Sequence, residues 1–353
     1  MIDPVALLKD LVAAPSVSGS EGPALDRLEA ALRGAGLETR RSGRNLWTSI
    51  GAGKPTLLLN AHIDTVPPTD AWTRKPFEPE VDDGRLYGLG SGDDKASIAA
   101  MAAAVEALAK EGLPGTIVFA ATCDEETGGD GLETLRRELP AAEAAVIGEP
   151  TRLEVATAQR GLIRIEACAE GRAAHAARPH QGENAILKAF EDVQRLREMN
   201  FVKTHPLLGR PTVTVTQVQG GVGRNVVPPS CRFTVDVRTT PLYDNDWFVP
   251  ELRRRIRSPI PVLKARMTPV ETRADEKIVL AALSATGGEA PVGFGGVSDM
   301  FHVRDLPCVV LGPGEPEQSH KADESVPLDQ VTRAAEVYRD LARKWIELKA
   351  RRL

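Results

Sequence analysis

The sequence predicts an α/β fold in which a domain with a mostly parallel, helix-flanked sheet is interrupted by a smaller inserted α+β domain. The length of 353 residues exceeds what one hydrophobic core usually serves. Strand and helix patterns alternate up to about residue 160, which favours a doubly wound sheet. Between about residues 160 and 270 the strands show polar–apolar alternation instead, which is typical of an antiparallel sheet with one covered face.

The elements of the first part are recognised by their hydrophobic periodicity. Residues 95–110 form an alanine-rich helix pattern that Gly112 and Pro114 end. Residues 116–122 are continuously apolar and β-branched, as in a strand that is buried on both faces. The other elements predicted here are helices at residues 4–14, 22–34 and 131–139, and strands at residues 46–50, 56–60 and 144–147.

The inserted part and the end of the chain follow in order. The insertion is predicted to contain strands at residues 162–169, 212–218 and 231–238, and helices at residues 184–197 and 246–257. From about residue 275 the earlier pattern returns, with an Ala- and Leu-rich helix, a strand at residues 308–311 and a final helix from Leu328. We therefore expect one discontinuous domain, residues 1–160 and 271–353, around an insertion of residues 161–270.

Composition excludes several classes of protein. The 49 acidic and 44 basic residues give a formal charge of −5, which argues against a nucleic-acid-binding protein. No apolar run is long enough to span a membrane, and Asp3 and Lys9 interrupt any signal-peptide pattern, so we expect a cytoplasmic protein. The four cysteines are scattered without a C-x-x-C pair, which argues against a disulfide framework or a cysteine zinc cluster.

Chemistry-bearing residues follow the strands of the α/β part. His62 and Asp64 form an H-x-D motif directly after the strand at residues 56–60. Ligands of open parallel sheets bind beyond the carboxyl ends of the strands, so this placement is informative. His62 offers a nitrogen to a metal, and Asp64 is close enough to orient its imidazole. Such a pair is also common as a purely structural feature.

Further acids occupy equivalent positions. Asp93 and Asp94 precede the helix at residues 95–110, where an N-cap is the alternative role for Asp94. The segment lacks the G-x-G-x-x-G spacing of a dinucleotide loop. Residues 124–126 are three consecutive acids after a buried strand, which form either a surface turn or a cation site. Glu149 follows the strand at residues 144–147 in the same way.

The repeated placement of these side chains indicates a metal site. His320, after the strand at residues 308–311 and a glycine-containing loop, supplies a second nitrogen donor at the same sheet edge. Histidine and carboxylate ligands together suit zinc, with manganese or cobalt as alternatives. The sequence contains no G-x-S-x-G motif, which argues against a serine hydrolase.

These motifs, taken in order from the first helix to the last, resemble the dizinc amidohydrolases. That family includes aminoacylase, acetylornithine deacetylase, succinyl-diaminopimelate desuccinylase and related carboxypeptidases. The resemblance implies two divalent metal ions, one held by His62 and Glu149 and the other by Glu126 and His320, with Asp93 bridging them. It further implies that Glu125 is the general base. By the same resemblance, Asp64 is the carboxylate that orients the imidazole of the ligand His62.

The resemblance also implies roles within the insertion, which is similar to the lid and dimerisation domain of the family. His175, in a G-x-x-x-H-A motif, reaches the active site of the partner subunit in a homodimer and helps to polarise the scissile carbonyl. Substrate-binding positions by the same resemblance are Arg160, Asn225, Arg238 and Gly296. A structural ion pair is the alternative for Arg160 and Arg238. Val297 replaces a frequent threonine of the G-T-S-D turn, and Asp94 and Ala96 also depart from the family pattern.

The function expected from the resemblance is metal-dependent hydrolysis of the amide bond of a small N-acyl amino acid. The short insertion and the residues around Arg160 and His320 favour acetylornithine deacetylase, an enzyme of arginine biosynthesis. Succinyl-diaminopimelate desuccinylase is the alternative, followed by acetylcitrulline deacetylase, aminoacylase or a dipeptidase. A catalytically inactive metal-binding scaffold is the alternative from another class.

Overall fold

The computed structural model describes residues 1–350 of the chain. The helices are α1 Pro4–Val12, α2 Gly22–Gly34, α3 Lys95–Glu111, α4 Gly131–Leu135, α5 Ala185–Arg197, α6 Asn245–Arg255, α7 Lys277–Thr286 and α8 Leu328–Ala350. The strands are β1 Arg40–Ser42, β2 Asn45–Gly51, β3 Thr56–His62, β4 Glu80–Asp82, β5 Arg85–Tyr87, β6 Thr116–Thr122, β7 Ala144–Ile147, β8 Ala156–Gln159, β9 Gly161–Glu170, β10 Thr212–Gly220, β11 Ser230–Thr239, β12 Val262–Lys264, β13 Val270–Glu271, β14 Val292–Phe294, β15 Cys308–Val310 and β16 Ser325–Pro327.

The chain divides into two compact units, the first of which is discontinuous. The first unit contains residues 1–157 and 272–294, together with the chain from Ser298 onward. The second unit contains Ala158–Glu271 and the short segment Gly295–Val297.

The first unit is organised by a large mixed sheet with the strand order β1-β2-β6-β3-β7-β15-β8. Its centre is parallel, since β3 pairs in parallel with β6 and β7, and β7 pairs in parallel with β15. At one edge, β1 pairs antiparallel with β2, and β2 pairs antiparallel with β6. All residues of β3 and β6 are buried, because helices cover the sheet on its faces. This arrangement confirms the α/β fold class that the sequence predicts.

Helices α1, α3, α7 and α8 belong to the hydrophobic core of the first unit. Helix α1 begins at an N-cap, Asp3, whose side chain accepts hydrogen bonds from the main-chain N–H groups of Val5 and Ala6. Helix α3 is buried along most of its length because its many alanines allow close packing, and it ends at Gly112 in a left-handed conformation.

The second unit has a core of its own. Its four-stranded sheet has the order β10-β11-β9-β12 and is antiparallel throughout. The alternating burial along β9 and β11 directs apolar side chains such as Ile165 and Val235 towards α5 and α6. Strand β10 stands first in the strand order and so lies at one edge of this sheet.

Several elements differ from the sequence expectation. Helix α4 ends at Leu135, and residues 136–138 form turns, although a helix to residue 139 is predicted. The short strands β1, β4, β5, β8, β12, β13, β14 and β16 are not predicted, because two to four residues are too few to show a periodicity. In the described part of the chain, none of the helices has the length and apolar content needed to cross a membrane.

Candidate metal centre

The carboxyl ends of three neighbouring strands bring the candidate ligands together. Strand β3 ends at His62, which is in register with Thr122 at the end of the adjacent strand β6. Glu125 and Glu126 follow β6 in a short 3-10 helix, and Glu149 follows β7, which pairs with β3 on its other side. Because the strands are parallel, these side chains converge on one edge of the sheet.

The first ligand group consists of His62, Asp93 and Glu149. One potential ligand atom from each lies within 4.8 Å of the other two. The Nε2 atom of His62 is 3.0 Å from the Oδ1 atom of Asp93. His62 and Glu149 are only 2% and 5% exposed, so the group is sealed from solvent. One nitrogen and two carboxylates in this arrangement fit a divalent cation such as zinc.

The second ligand group consists of Asp93, Glu126 and His320, again with ligand atoms within 4.8 Å of one another. The Nε2 atom of His320 lies 2.8 Å from Oε2 of Glu126 and 3.7 Å from Oδ2 of Asp93. Asp93 thus turns one oxygen towards His62 and the other towards His320, which is the disposition of a bridging carboxylate. The His320 side chain is 55% exposed, so this group lies nearer the surface.

The carboxyl groups of the centre repel one another. Burial raises the pKa of Glu125 well above its ordinary value; His62 opposes this, whereas Asp299 and Glu126 add to it. Burial likewise raises the pKa of Glu149, and the negative charge of Asp93 raises it further. Carboxylates in a buried cluster are costly unless cations compensate them. The charge distribution therefore fits the binding of metal ions.

The two histidines of the centre are held by acidic partners. Burial lowers the pKa of His62, but its contacts with Asp64 and Asp93 outweigh burial and place this pKa well above the ordinary value. The contact with Glu126 raises the pKa of His320 to about 9, against the effect of burial. Each imidazole thus faces carboxylate oxygens. Imidazole and carboxylate groups are placed in this way when they bind the same cation.

Asp64 lies behind the ligands and is fully buried. The nearest acceptor for Nδ1 of His62 is the main-chain oxygen of Asp64 at 3.0 Å, whereas the carboxylate lies at 3.6 Å. The carboxylate accepts hydrogen bonds from the Ser18 hydroxyl and from the main-chain N–H groups of Glu125 and Glu126. Asp64 thus holds the segment that carries two other site residues, a contact that sequence reasoning missed.

Asp94 occupies the N-cap position of helix α3, but its side chain makes no capping hydrogen bond. The capping role considered for this residue therefore does not apply. Burial raises the pKa of its carboxyl group well above the ordinary value. The peptide bond between Asp93 and Asp94 is cis.

Two more residues at this edge have no role assigned to them from the sequence. Asp299 is buried and accepts hydrogen bonds from the side chains of Asn60 and Thr122, which connects it to β3 and β6. Glu324 is also buried and accepts three main-chain hydrogen bonds from the loop that carries Asp93. Its position four residues after His320 is the signal that points to this contact.

In the second unit, the structure brings His175 and Asn225 together. His175 is exposed, and its segment pairs with that of Asn225 through a hydrogen bond from the main-chain N–H of Ala176 to the carbonyl oxygen of Asn225. Gly296 lies in the segment Gly295–Val297 of the same unit. The roles assigned to these residues stay predictions.

The two candidate substrate-binding arginines have different partners. The guanidinium of Arg238 forms a bidentate ion pair with Asp236, at 2.8 and 3.3 Å. The guanidinium of Arg160 donates to the main-chain carbonyls of Leu208 and Arg210. Burial, and then the charge of Arg238, lower the pKa of Arg160. The ion-pair alternative therefore describes Arg238, whereas the acceptors of Arg160 are neutral.

The chain is similar to known proteins over nearly its whole length. The model of Peptidase family M20/M25/M40 matches residues 58–344. A curated relative, succinyl-diaminopimelate desuccinylase of Caulobacter sp. strain K31, is 30% identical over 369 residues, covering 96% of this chain and 95% of that protein.

Solved structures share the fold. A tripeptidase from Staphylococcus aureus has a TM-score of 0.82 at 22% identity and covers 98% of this chain and 100% of its own. A Bacillus subtilis protein described as a dinuclear metal-binding peptidase of family M20 has a TM-score of 0.75 at 18% identity, with 98% of each chain covered.

The family match spans most of the chain and includes every candidate metal ligand. It confirms the resemblance that the motifs indicate and the expected enzyme class, a metal-dependent hydrolase of amide bonds. The chain belongs to Peptidase family M20/M25/M40.

Proposed function

We propose that this chain hydrolyses the amide bond of an N-acyl amino acid at a pair of divalent metal ions, with N-succinyl-diaminopimelate as the first candidate substrate. The observation that carries the proposal is the pair of ligand groups that share Asp93. His62 and Glu149 would complete one group, and Glu126 and His320 the other. Zinc suits these nitrogen and oxygen donors best, with cobalt or manganese as alternatives.

When bound, two such ions polarise the amide carbonyl and lower the pKa of the attacking water. Glu125 is the group that removes the proton of this water and returns it to the leaving amine. Its pKa is raised by burial and, after the opposing effect of His62, by Asp299 and Glu126, which suits a carboxyl group that must take up a proton and release it again.

The substrate assignment follows the curated relative. The sequence alone favours acetylornithine deacetylase, whereas the relative that covers nearly the whole chain is named a desuccinylase. The order of the two expectations is therefore reversed, and acetylornithine deacetylase becomes the second candidate. A succinyl group carries a carboxylate that an acetyl group lacks. Arg160 is the better of the two arginines to bind a substrate carboxylate, because Asp236 already compensates Arg238.

We also propose that two copies of the chain associate through the second unit. Strand β10 is an edge strand, and its Val218 is exposed. Ile186, Leu187 and Phe190 on helix α5 are exposed apolar residues, and Ile186 packs close to Gly220 at the end of β10. An apolar helix face beside an unpaired strand edge suits a self-complementary contact. The resemblance assigns His175 to the active site of the partner in such a dimer.

A substrate panel tests the proposed function. The purified protein is loaded with zinc, cobalt or manganese, and kcat/KM is measured for N-succinyl-diaminopimelate, N-acetylornithine, N-acetylcitrulline and N-acetylmethionine. We expect the succinyl substrate to have the highest value. A clear preference for N-acetylornithine would establish the second candidate. Two bound metal ions without turnover of any of these amides would favour an inactive scaffold.

A further inference from the structure

The loop Gly88–Asp93, which carries the shared ligand, is held mainly by one side chain. The carboxylate of Glu324 accepts hydrogen bonds from the main-chain N–H groups of Gly90, Gly92 and Asp93, at 2.9, 2.8 and 3.0 Å. The main-chain oxygen of Glu324 accepts a fourth hydrogen bond from the N–H of Gly88 at 3.0 Å. Most of the N–H groups of this loop therefore depend on Glu324.

The loop has no regular secondary structure to support it. Gly90 has φ +75, and a Cβ atom there would lie 2.6 Å from Cγ2 of Thr65, so the chain must pass close to its neighbour. A loop of this kind lacks the hydrogen-bond ladder of a strand or helix. The buried carboxylate supplies the acceptors that such a ladder would otherwise provide.

Glu324 is itself firmly placed. It is 2% exposed and directly precedes β16, in which Ser325 pairs with Tyr87 of β5. It also lies four residues after His320 on the same segment. One side chain therefore joins the loop that carries Asp93 to the segment that carries His320.

We propose that Glu324 is a positioning residue that sets the separation of Asp93 from His320 and so shapes the second ligand group for its metal ion. This inference rests on the proposed two-metal function. The first group depends on Glu324 only through Asp93, whereas the second group depends on it through both Asp93 and His320. Loss of the Glu324 contacts should therefore weaken the second group more than the first.

Stepwise metal binding tests this inference. Protein stripped with a chelator is titrated with Co²⁺ while the absorption of the bound ion and the heat of binding are followed. His320→Ala identifies the binding event that belongs to the second group. In Glu324→Gln the new amide N–H₂ must face a main-chain N–H, so we expect the second event to weaken by about 10–100-fold and the first event to change less. Glu317→Gln makes the same chemical change at an exposed position of the preceding loop and should leave both events unchanged.

A second variant separates positioning from folding. Glu324→Asp keeps the charge and both oxygens, so we expect it to bind the second ion more tightly than Glu324→Gln does. The melting temperature of each metal-free variant is measured alongside. The inference is overturned if folded Glu324→Gln binds both ions as wild type does, or if both events weaken equally in the two variants. A wild-type protein that binds no divalent ion would remove the proposed function as well, whereas an active enzyme with an insensitive Glu324→Gln would remove this inference alone.

Discussion

The Nε2 atom of His320 lies 2.8 Å from the Oε2 atom of Glu126, although the two residues come from distant parts of the chain. Glu126 follows the central strand β6, and His320 lies shortly before β16. Their contact requires the complete first unit, in which the chain returns after the second unit. The second ligand group is therefore a product of tertiary structure and is absent from any local motif.

Replacement of Glu125 separates metal binding from catalysis. Glu125 belongs to neither ligand group, so Glu125→Gln should bind two metal ions as wild type does. A glutamine cannot accept a proton from water, and we expect kcat to fall by about 10²–10⁴-fold. Metal content by atomic emission and kcat on the best substrate of the panel check this. Undiminished turnover at equal metal content would remove the base role from Glu125.

Asp64 holds the main chain of Glu125 and Glu126 and contacts His62. In Asp64→Asn the amide N–H₂ must face donor groups, so we expect metal affinity to fall roughly 10–100-fold. Competition with a chromophoric chelator measures the affinity. Ser18→Ala removes only one hydrogen bond to Asp64 and should have a smaller effect. Equal affinities for wild type and Asp64→Asn would contradict this prediction.

The exposed apolar face of α5 predicts the oligomeric state. Phe190 is 54% exposed, and Phe190→Glu places a charge where the second copy would pack. We expect wild type to sediment as a dimer and the variant as a monomer with reduced kcat/KM. Leu280→Glu, at an exposed position of α7 in the other unit, should remain dimeric. A wild-type protein that is monomeric at micromolar concentration would show that the dimer proposal is wrong.

The central strand β3 carries His62, and its packing should control stability. Leu59 is fully buried in β3, and Leu59→Ala removes one methine and two methyl groups from the core. We expect a loss of about 2–5 kcal/mol in the free energy of unfolding. Chemical denaturation of the metal-free protein measures this loss. Leu280→Ala is the matched surface control and should change the free energy by less than about 0.5 kcal/mol.

Because the thiol of Cys308 is buried, we expect the folded protein to lose stability at alkaline pH. Burial raises the pKa of Cys308 to about 12 from the ordinary thiol value of 9.0, against a hydrogen bond from Thr272 that lowers it. Between these values the unfolded chain loses the thiol proton and the folded chain keeps it. The free energy of unfolding should therefore fall above about pH 9, by up to about 1.4 kcal/mol per pH unit from this group.

Denaturation at several pH values checks the effect of Cys308. Cys308→Ala should be less stable at neutral pH because it leaves a small cavity, but its stability should decline less steeply above pH 9. Cys168→Ala removes a partly exposed thiol in the second unit and is the control. If the free energy of unfolding falls equally steeply with pH in wild type and in Cys308→Ala, then Cys308 is not the cause of the alkaline loss of stability.

The sequence predicts the parts of the fold that have a strong hydrophobic pattern. Strands β3 and β6 are buried at every residue, and this burial requires the apolar runs by which the sequence reveals them. Helix α3 is recognised because alanine favours helices. Strand β16 is three residues long, and its partner β5 lies far away in the sequence. No local pattern encodes such a pairing, so only the folded chain shows it.

His62, Glu126 and Glu149 were predictable as candidate metal ligands because they follow strands that the sequence reveals. The supporting residues were not, since their partners are main-chain groups that any sequence possesses. The Asp64 contacts with residues 125 and 126 and the Glu324 contacts with residues 90–93 are of this kind. Arg238 shows the opposite case, because its ion-pair partner Asp236 stands two positions away and was visible in the sequence.

The unequal exposure of the two candidate histidine ligands has a kinetic consequence. His62 is almost sealed, whereas more than half of the His320 side chain faces solvent. Ions should therefore exchange with the medium through the His320 side, and a chelator should remove the outer ion before the inner one. Brief chelation would then leave a half-loaded enzyme with a single tightly retained ion, and activity would return on adding one equivalent of metal.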